Sequence, residues 1–374
     1  MAKRVGILTS GGDCPGLNAA IRAVGKACEE QFNIQVLGFL NGFRGLAQNK
    51  TLDLDSNSLS GIITQGGTLL GTSRDKPHRM TIDGEIRDMT VDCIETYKRH
   101  RLEALVCLGG GGTQRNALRL QKAGLNIVTL PKTIDNDVEF TDCCFGFDTA
   151  VGIATEAIDR LHSTATSHNR IIVVELMGHG SGWLALEAGI AGGADAVLIP
   201  EIPYDIDVVA EAIRDRTRRG KRFSIVAVAE GAISKRENKA MSRLLAERDN
   251  ANGRETREAT EKKIRKFHDE HVGHTITISR KLEALTGLES RLTILGHVQR
   301  GGTPSAFDRV YATWLGTACA QALDKAHYGI MLALQKNAIV EVPLKIVAGV
   351  KKRVPAEHPL VESAKLVGMS FGDN

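Results

Sequence analysis

The sequence predicts an α/β protein with mostly parallel sheets, in two or three domains. Three observations predict it. Short apolar runs of strand length alternate with longer segments of helical spacing along most of the chain, the pattern of strands joined by helical crossovers. Several of those runs end in glycine-rich or acidic loops, where open α/β sheets bind their ligands. At 374 residues the chain is too long for one ordinary core.

Composition narrows the class. An apolar content of 42% and a charged content of 25% are those of a soluble globular protein. A net charge of +4 is small for this length and argues against a dedicated nucleic-acid binder. The seven cysteines (14, 28, 93, 107, 143, 144, 319) lack framework spacing, so reduced structural thiols are expected. No apolar run approaches a membrane span, and the N-terminus enters a strand rather than a leader. These features together predict a cytoplasmic enzyme.

The first unit is a strand over Val5–Thr9, a glycine turn (Ser10-Gly11-Gly12-Asp13 to Asn18) and a helix over Ala19–Glu29. Its amides suit a phosphate, although it is neither a Walker A nor a GxGxxG fingerprint, and a tight connection explains it equally well. A strand over Gln35–Leu40 follows, then Gln65 to Arg74, whose arginine is a phosphate contact or a solvated surface residue. A helix is expected over Ile86–Arg99 and a central strand over Ala104–Leu108. That strand runs into Gly109-Gly110-Gly111-Gly112-Thr113, ahead of a helix over Gln114–Ala123. Four glycines in a row are entropically costly unless a ligand comes close, which favours a phosphorylated one.

An apolar run, Leu125–Leu130, then ends in Pro131-Lys132-Thr133-Ile134-Asp135-Asn136-Asp137. Two carboxylates two residues apart, beside a lysine and a threonine, suit proton abstraction next to an anion. A polar turn is the plainer reading of the same residues. Three strand ends thus send glycines and carboxylates to one edge of a parallel sheet.

A second α/β run begins near Gly146. Helices are expected over Asp148–Thr164 (with Asp148 as N-cap), Gly182–Ile190 and Val208–Arg218, and strands over Ile171–Leu176, Ala196–Ile199 and Phe223–Ala229. From about 235 to 275 mixed charges predict a solvent-facing helical insertion. A helix over Ile276–Leu285 leads to a strand from Arg291 that ends in a loop with His297 and Arg300. Helix is expected through much of Phe307–Gln335, and strand over Ala338–Val347.

Collected in order, these stretches resemble the 6-phosphofructokinase family, in its longer, mixed-donor branch. The motifs are Ser10–Asn18, Gly66-Gly67-Thr68 to Arg74, Gly109–Thr113, Thr133–Asp137, Glu156–Leu161, Ser167–Arg170, Met177-Gly178 and Leu295–Gly302. The resemblance implies two Rossmann-like three-layer α/β/α domains with the site in the cleft between them. Residues 1–146 with about 300–350 would bind the donor, and 147–299 with about 351–374 the sugar. It implies Mg²⁺-dependent phosphoryl transfer, ATP favoured, to the 1-hydroxyl of fructose 6-phosphate, in a homodimer or homotetramer with shared sites and without nucleic acid or membrane. By position, Asp135 is the general base, with Thr133, Asp137 and Lys132 in support. Arg170 and Arg291 match the 6-phosphate clamp, and Met177, Gly178, His179, Glu230, His297 and Arg300 the sugar contacts. Gly12, Arg74, Gly110, Gly111, Gly112 and Thr113 match the donor-phosphate site.

Three positions depart from the family pattern. Gly111 stands where the metal-binding aspartate is usual, which leaves Mg²⁺ to phosphates, water and Asp135 or Asp137. Gly112 leaves room for ATP where pyrophosphate users carry aspartate, whereas Lys132 resembles the pyrophosphate type. His179 replaces an arginine. A pyrophosphate-dependent phosphotransferase and a non-catalytic regulatory subunit are the alternatives.

Overall fold

The structure, a computed structural model, describes residues 3–251, 254–271 and 273–373. Strand β1 (Lys3–Thr9) leads through a glycine turn to α1 (Leu17–Phe32), β2 (Ile34–Phe39), α2 (Phe43–Ala47) and β3 (Thr51–Asp53). A hairpin of β4 (Met80–Ile82) and β5 (Glu85–Arg87) precedes α3 (Thr90–Arg99), β6 (Ala104–Gly109), α4 (Gly111–Lys122) and β7 (Ile127–Pro131). The long α5 (Phe147–His168) opens the second series: β8 (Ile171–Leu176), α6 (Trp183–Ala191), β9 (Ala196–Leu198), α7 (Ile206–Arg218) and β10 (Ser224–Ala229). The charged stretch forms α8 (Lys235–Asp249) and α9 (Arg254–His271), and α10 (His274–Thr286) and β11 (Ser290–Ile294) follow. Last come α11 (Ala306–Asp324), β12 (Ile330–Gln335), β13 (Ala338–Pro343), α12 (Leu344–Val347) and α13 (Pro359–Leu366).

The chain divides into two compact units, Met1–Ala150 with Arg300–Lys352, and Val151–Gln299 with Arg353–Asn374. Among the described residues the first is built on a seven-stranded sheet ordered β13-β12-β7-β6-β1-β2-β3. Its five inner strands are parallel, and β3 and β13 close the edges antiparallel. Alternation within the inner strands divides their side chains between two faces. Leu8, Leu105, Cys107 and Ile127 pack with Phe43, Leu46, Cys93, Ala117, Leu120 and Leu344 from α2, α3, α4 and α12. The alternate set, including Val5, Ile7, Val106 and Val128, is buried as well. The chain runs from β1 to β2 on one side and resumes with β6 on the other, so strand order switches between β1 and β6. Crevices form at such points, beyond the carboxyl ends of the strands.

The second unit carries a four-stranded parallel sheet, β11-β8-β10-β9, and its order switches between β8 and β11. Ile171, Val173, Leu198, Val226 and Val228 bury one face against Val209 and Ile213 of α7 and Ile278 and Leu282 of α10. The insertion's α8 starts from a capping box, in which Ser234 accepts from the Glu237 amide and Glu237 accepts from the Ser234 amide. No residue of α8 is buried, as its mixed charge requires. The insertion ends close to where expected, at α10 from His274, whose Ile278 and Leu282 pack on the core.

Several expectations change. Ile86 belongs to a hairpin strand, and α3 starts only at Thr90. Residues 330–335 are strand rather than helix, since a short apolar run cannot by periodicity alone declare which it is. Asp148 sits in the first turn of α5 rather than at its cap. Residues 344–347 turn helical at the end of the last strand. None of the seven cysteines forms a disulfide, and six are buried. No helix among the described residues is long and apolar enough to cross a membrane.

The α1–α11 pair depends on a close approach at Gly316, where a Cβ would lie 2.5 Å from the Ala23 methyl and 3.0 Å from the Ala20 carbonyl oxygen. Replacing Gly316 with Val is expected to overpack this seam and cost about 1–3 kcal/mol. The midpoint of denaturant unfolding reads the change.

Candidate active site

In the first unit three neighbouring strands end together. The Ser10 amide donates to the Leu108 carbonyl at 3.0 Å and the Lys132 amide to the Gly109 carbonyl at 3.3 Å, so the loops after β1, β6 and β7 are hydrogen-bonded in series. The 65–74 loop joins them from outside the sheet. The Gly11 amide donates to the Ser73 carbonyl at 2.9 Å, and the Thr72 hydroxyl to the Gly11 carbonyl at 2.8 Å. Arg74, the next residue along, is exposed.

The glycine quartet does not lie ahead of its helix, as expected. Helix α4 begins at Gly111 with Gly110 as its cap, so the amides of Gly111, Gly112 and Thr113 form the first turn. Those amides have no intrahelical acceptor and carry the positive end of the helix dipole, a site suited to phosphate. A Cβ at Gly111 or Gly112 would meet nothing within 4 Å, so neighbouring packing does not demand glycine at either position. Thr113 is buried, with its hydroxyl on the Ser10 carbonyl at 3.3 Å.

Gly12 is different. A Cβ there would strike the Arg300 guanidinium, whose Nη1 donates to the Asp13 carbonyl at 3.2 Å. Lys132, only 3% exposed, places its ammonium on the Gly12 carbonyl oxygen from the other loop. Burial pushes the Lys132 ammonium below the usual lysine range, and nearby anionic groups offset part of that fall. Two cationic side chains therefore flank one glycine turn. Arg300, expected among the sugar contacts, lies against the Gly12–Asp13 turn of the first unit.

The loop after β7 keeps its carboxylates in a defined turn. The Asp135 amide donates to the Thr133 hydroxyl oxygen at 3.0 Å. Asp137 pairs with Lys351 at 3.5 Å, and its carbonyl accepts from the Lys352 amide at 3.0 Å. Among the described residues no group of three or more His, Cys, Asp or Glu side chains is placed to hold a metal. Asp135 and Asp137 fit only an ion that keeps water and phosphate oxygens for most of its coordination, as Mg²⁺ does.

In the second unit the expected residues divide between the two edges of the parallel sheet: Arg170 and Arg291 lie at the amino end, and the others beyond the carboxyl end. Met177, Gly178 and His179 follow β8, and Glu230 follows β10 beside it. The His179 amide donates to the Glu230 carboxylate at 2.8 Å, while the Glu230 amide donates to the Leu176 carbonyl at 2.8 Å. Arg170 precedes β8, and Arg291 lies on the adjacent β11. One carboxylate, Glu289, binds the Nε of Arg170 and the Nη2 of Arg291. Arg170, and then Arg291, hold that carboxyl below its ordinary range. His297, in a 3₁₀ turn after β11, is exposed.

Three supporting residues escaped the sequence reading. Asn18, buried on α1, donates to the carbonyls of Gln65 and Gly66 at 3.2 and 3.3 Å and accepts from the Leu69 amide at 2.7 Å. Lys351 is the partner of Asp137. Asp308, fully buried, accepts from the amides of Gly146 and Thr149 at 2.7 and 2.9 Å, fixing the start of α5. Burial raises the Asp308 carboxyl despite these donors. Only Asp308 had a local signal, the Ser305-x-x-Asp308 spacing of a helix start.

The phosphofructokinase family profile matches residues 4–323. The ATP-dependent 6-phosphofructokinase of Propionibacterium freudenreichii subsp. shermanii is 54% identical over 373 residues, covering 100% of both chains. That of Spirochaeta thermophila is 50% identical, covering 98% of this chain and 97% of its own. Among solved structures, the phosphofructokinase of Pichia pastoris in the T-state superposes with a TM-score of 0.77 at 31% identity, over 93% of this chain. This chain spans only 35% of that longer one. A pyrophosphate-dependent enzyme from Marinobacter aquaeolei, 21% identical, covers 96% of this chain and 88% of its own with a TM-score of 0.76, a likeness of fold. A match of this length, carried by relatives identical at half or more of their positions, makes the chain a member of the phosphofructokinase family.

Proposed function

We propose that this protein is a glycolytic 6-phosphofructokinase. It transfers the terminal phosphoryl group of ATP to the 1-hydroxyl of fructose 6-phosphate and releases fructose 1,6-bisphosphate and ADP. The observation that carries this reading is the union of Asp135 with an open, glycine-lined helix start and two flanking cations at the ends of three adjacent strands. The name shared by the full-length relatives supports ATP as donor, as does the open space at Gly112.

In this reading Asp135 takes the proton of the 1-hydroxyl as that oxygen bonds to the terminal phosphorus and the bond to the bridging oxygen breaks. Thr133 sets the turn that presents Asp135, and Asp137 supports it. Amides of Gly12, Gly110, Gly111, Gly112 and Thr113 hold the polyphosphate with Arg74, while Lys132 and Arg300 supply positive potential behind the turn. Arg170 and Arg291 clamp the sugar's 6-phosphate, and Met177, Gly178, His179, Glu230 and His297 shape the sugar site. Mg²⁺ supplies charge neutralisation on the donor, and Asp135 or Asp137 would hold it beside the phosphates. A homodimer or homotetramer in the cytoplasm is the expected form, with clamp arginines drawn from a neighbouring copy. Lys132 favours a second donor reading, pyrophosphate, since its cation is the pyrophosphate-type feature of the loop.

Three outcomes test this. Replacing Asp135 with Ala is expected to lower kcat by about 10²–10⁴ while the KM for fructose 6-phosphate stays within a few-fold; an unchanged kcat would refute the assignment. Side-by-side rates with ATP and pyrophosphate should favour ATP, and Gly112→Asp should cut kcat/KM for ATP by about 10² through like-charge repulsion. Pyrophosphate-only turnover would reverse the donor, and no turnover with either would leave a regulatory subunit. Finally, Arg170→Ala or Arg291→Ala should raise the KM for the sugar phosphate by roughly 10–100-fold, the loss of a charged hydrogen bond, with kcat little changed.

A further inference from the structure

We propose that Asn136, the residue between the two carboxylates, is a positioning residue for phosphoryl transfer. Its side chain fastens the base-bearing loop to a buried strap and so gives Asp135 one orientation through the reaction. The inference rests on the function proposed above.

Asn136 is 3% exposed and holds a left-handed backbone, φ 49°. Asparagine tolerates that conformation better than most residues, usually by bonding its own neighbourhood. Here the amide oxygen is used at longer range, accepting from the Cys144 amide at 3.0 Å. The strap it grips, residues 143–146, is anchored along its length. Phe145 bridges in parallel to Lys132 at the start of the same loop. The Cys143 carbonyl accepts from the Tyr311 hydroxyl at 2.8 Å, and Gly146 donates to Asp308 at 2.7 Å, both partners lying on α11. Asp308 binds the next turn as well, through the Thr149 hydroxyl at 2.5 Å. The loop carrying Asp135 is therefore tied to the sheet at Lys132 and to α11, through the strap, at Asn136.

Removing the amide oxygen leaves the buried Cys144 N–H without its acceptor and releases the step between Asp135 and Asp137. A base must lie within about 2.6–3.2 Å of the proton it takes, and a displacement of about 1 Å can cost roughly 10²-fold in rate. Aspartate at 136 keeps an accepting oxygen at the same distance along the side chain, so it separates loss of the acceptor from loss of the asparagine itself.

The test uses two substitutions in the full chain. Asn136→Gly keeps the left-handed backbone and deletes the acceptor. It should lower kcat about 30–100-fold, leave both KM values within about threefold and speed hydrogen exchange at the Cys144 amide. Asn136→Asp keeps the acceptor; it should recover much of that kcat and restore slow exchange at the Cys144 amide. If Asn136→Gly does not fold, Asn136→Ser, whose shorter side chain withdraws the acceptor, carries the same comparison of kcat against KM. Turnover of the acceptor-deleted variant within twofold of the unaltered chain, or an Asn136→Asp no faster than that variant, would overturn the positioning role and leave the function standing. No turnover by the unaltered chain with either donor would remove both.

Discussion

Everything at the carboxyl edge of the first unit's sheet depends on the parallel pairing of β7, β6 and β1. A parallel ladder brings successive strands to the same edge, and here it continues one step past the strands, through the Ser10 and Lys132 amides. Loops that would otherwise be independent are thereby held within hydrogen-bond distance of one another. A glycine turn, a helix start and a pair of carboxylates become one surface because strand order switches beside them.

Charge follows from that framework. A phosphorylated ligand needs positive potential that does not crowd it, and both cations of the glycine turn sit where they bond its carbonyls. Lys132 is buried at a cost in solvation that lowers its proton affinity, and the anionic groups near it offset part of that cost. In the second unit the opposite device operates. Two guanidinium groups at the starts of adjacent strands would repel each other, and Glu289 between them offsets the repulsion.

Much of this was legible because its signals are local. The strands over 171–176 and 224–229 are apolar runs of strand length between helices, and they fold as such. The glycine quartet and the Thr133–Asp137 loop advertise themselves by composition. Residues 330–335 were not legible, since a short apolar run, Ile330–Leu334, suits a helix turn or a strand, and a vacant sheet edge next to β7 decides. Gly111 and Gly112 open α4 although glycine disfavours helices, because at the first turn they meet no steric demand and the helix simply begins there.

The alternation of most strands and helices, the exposed charge of α8 and the identity of the residues at those strand ends follow from the sequence by itself. Periodicity and composition act over a few residues and need no distant partner. Tertiary structure alone decided that Arg300 lies on the Asp13 carbonyl, that Asp308 fastens the start of α5, and that Asn18 shapes a loop some fifty residues onward. Such contacts join residues far apart in the chain, and no local pattern encodes them because they exist only once the sheet has set the distances between its loops.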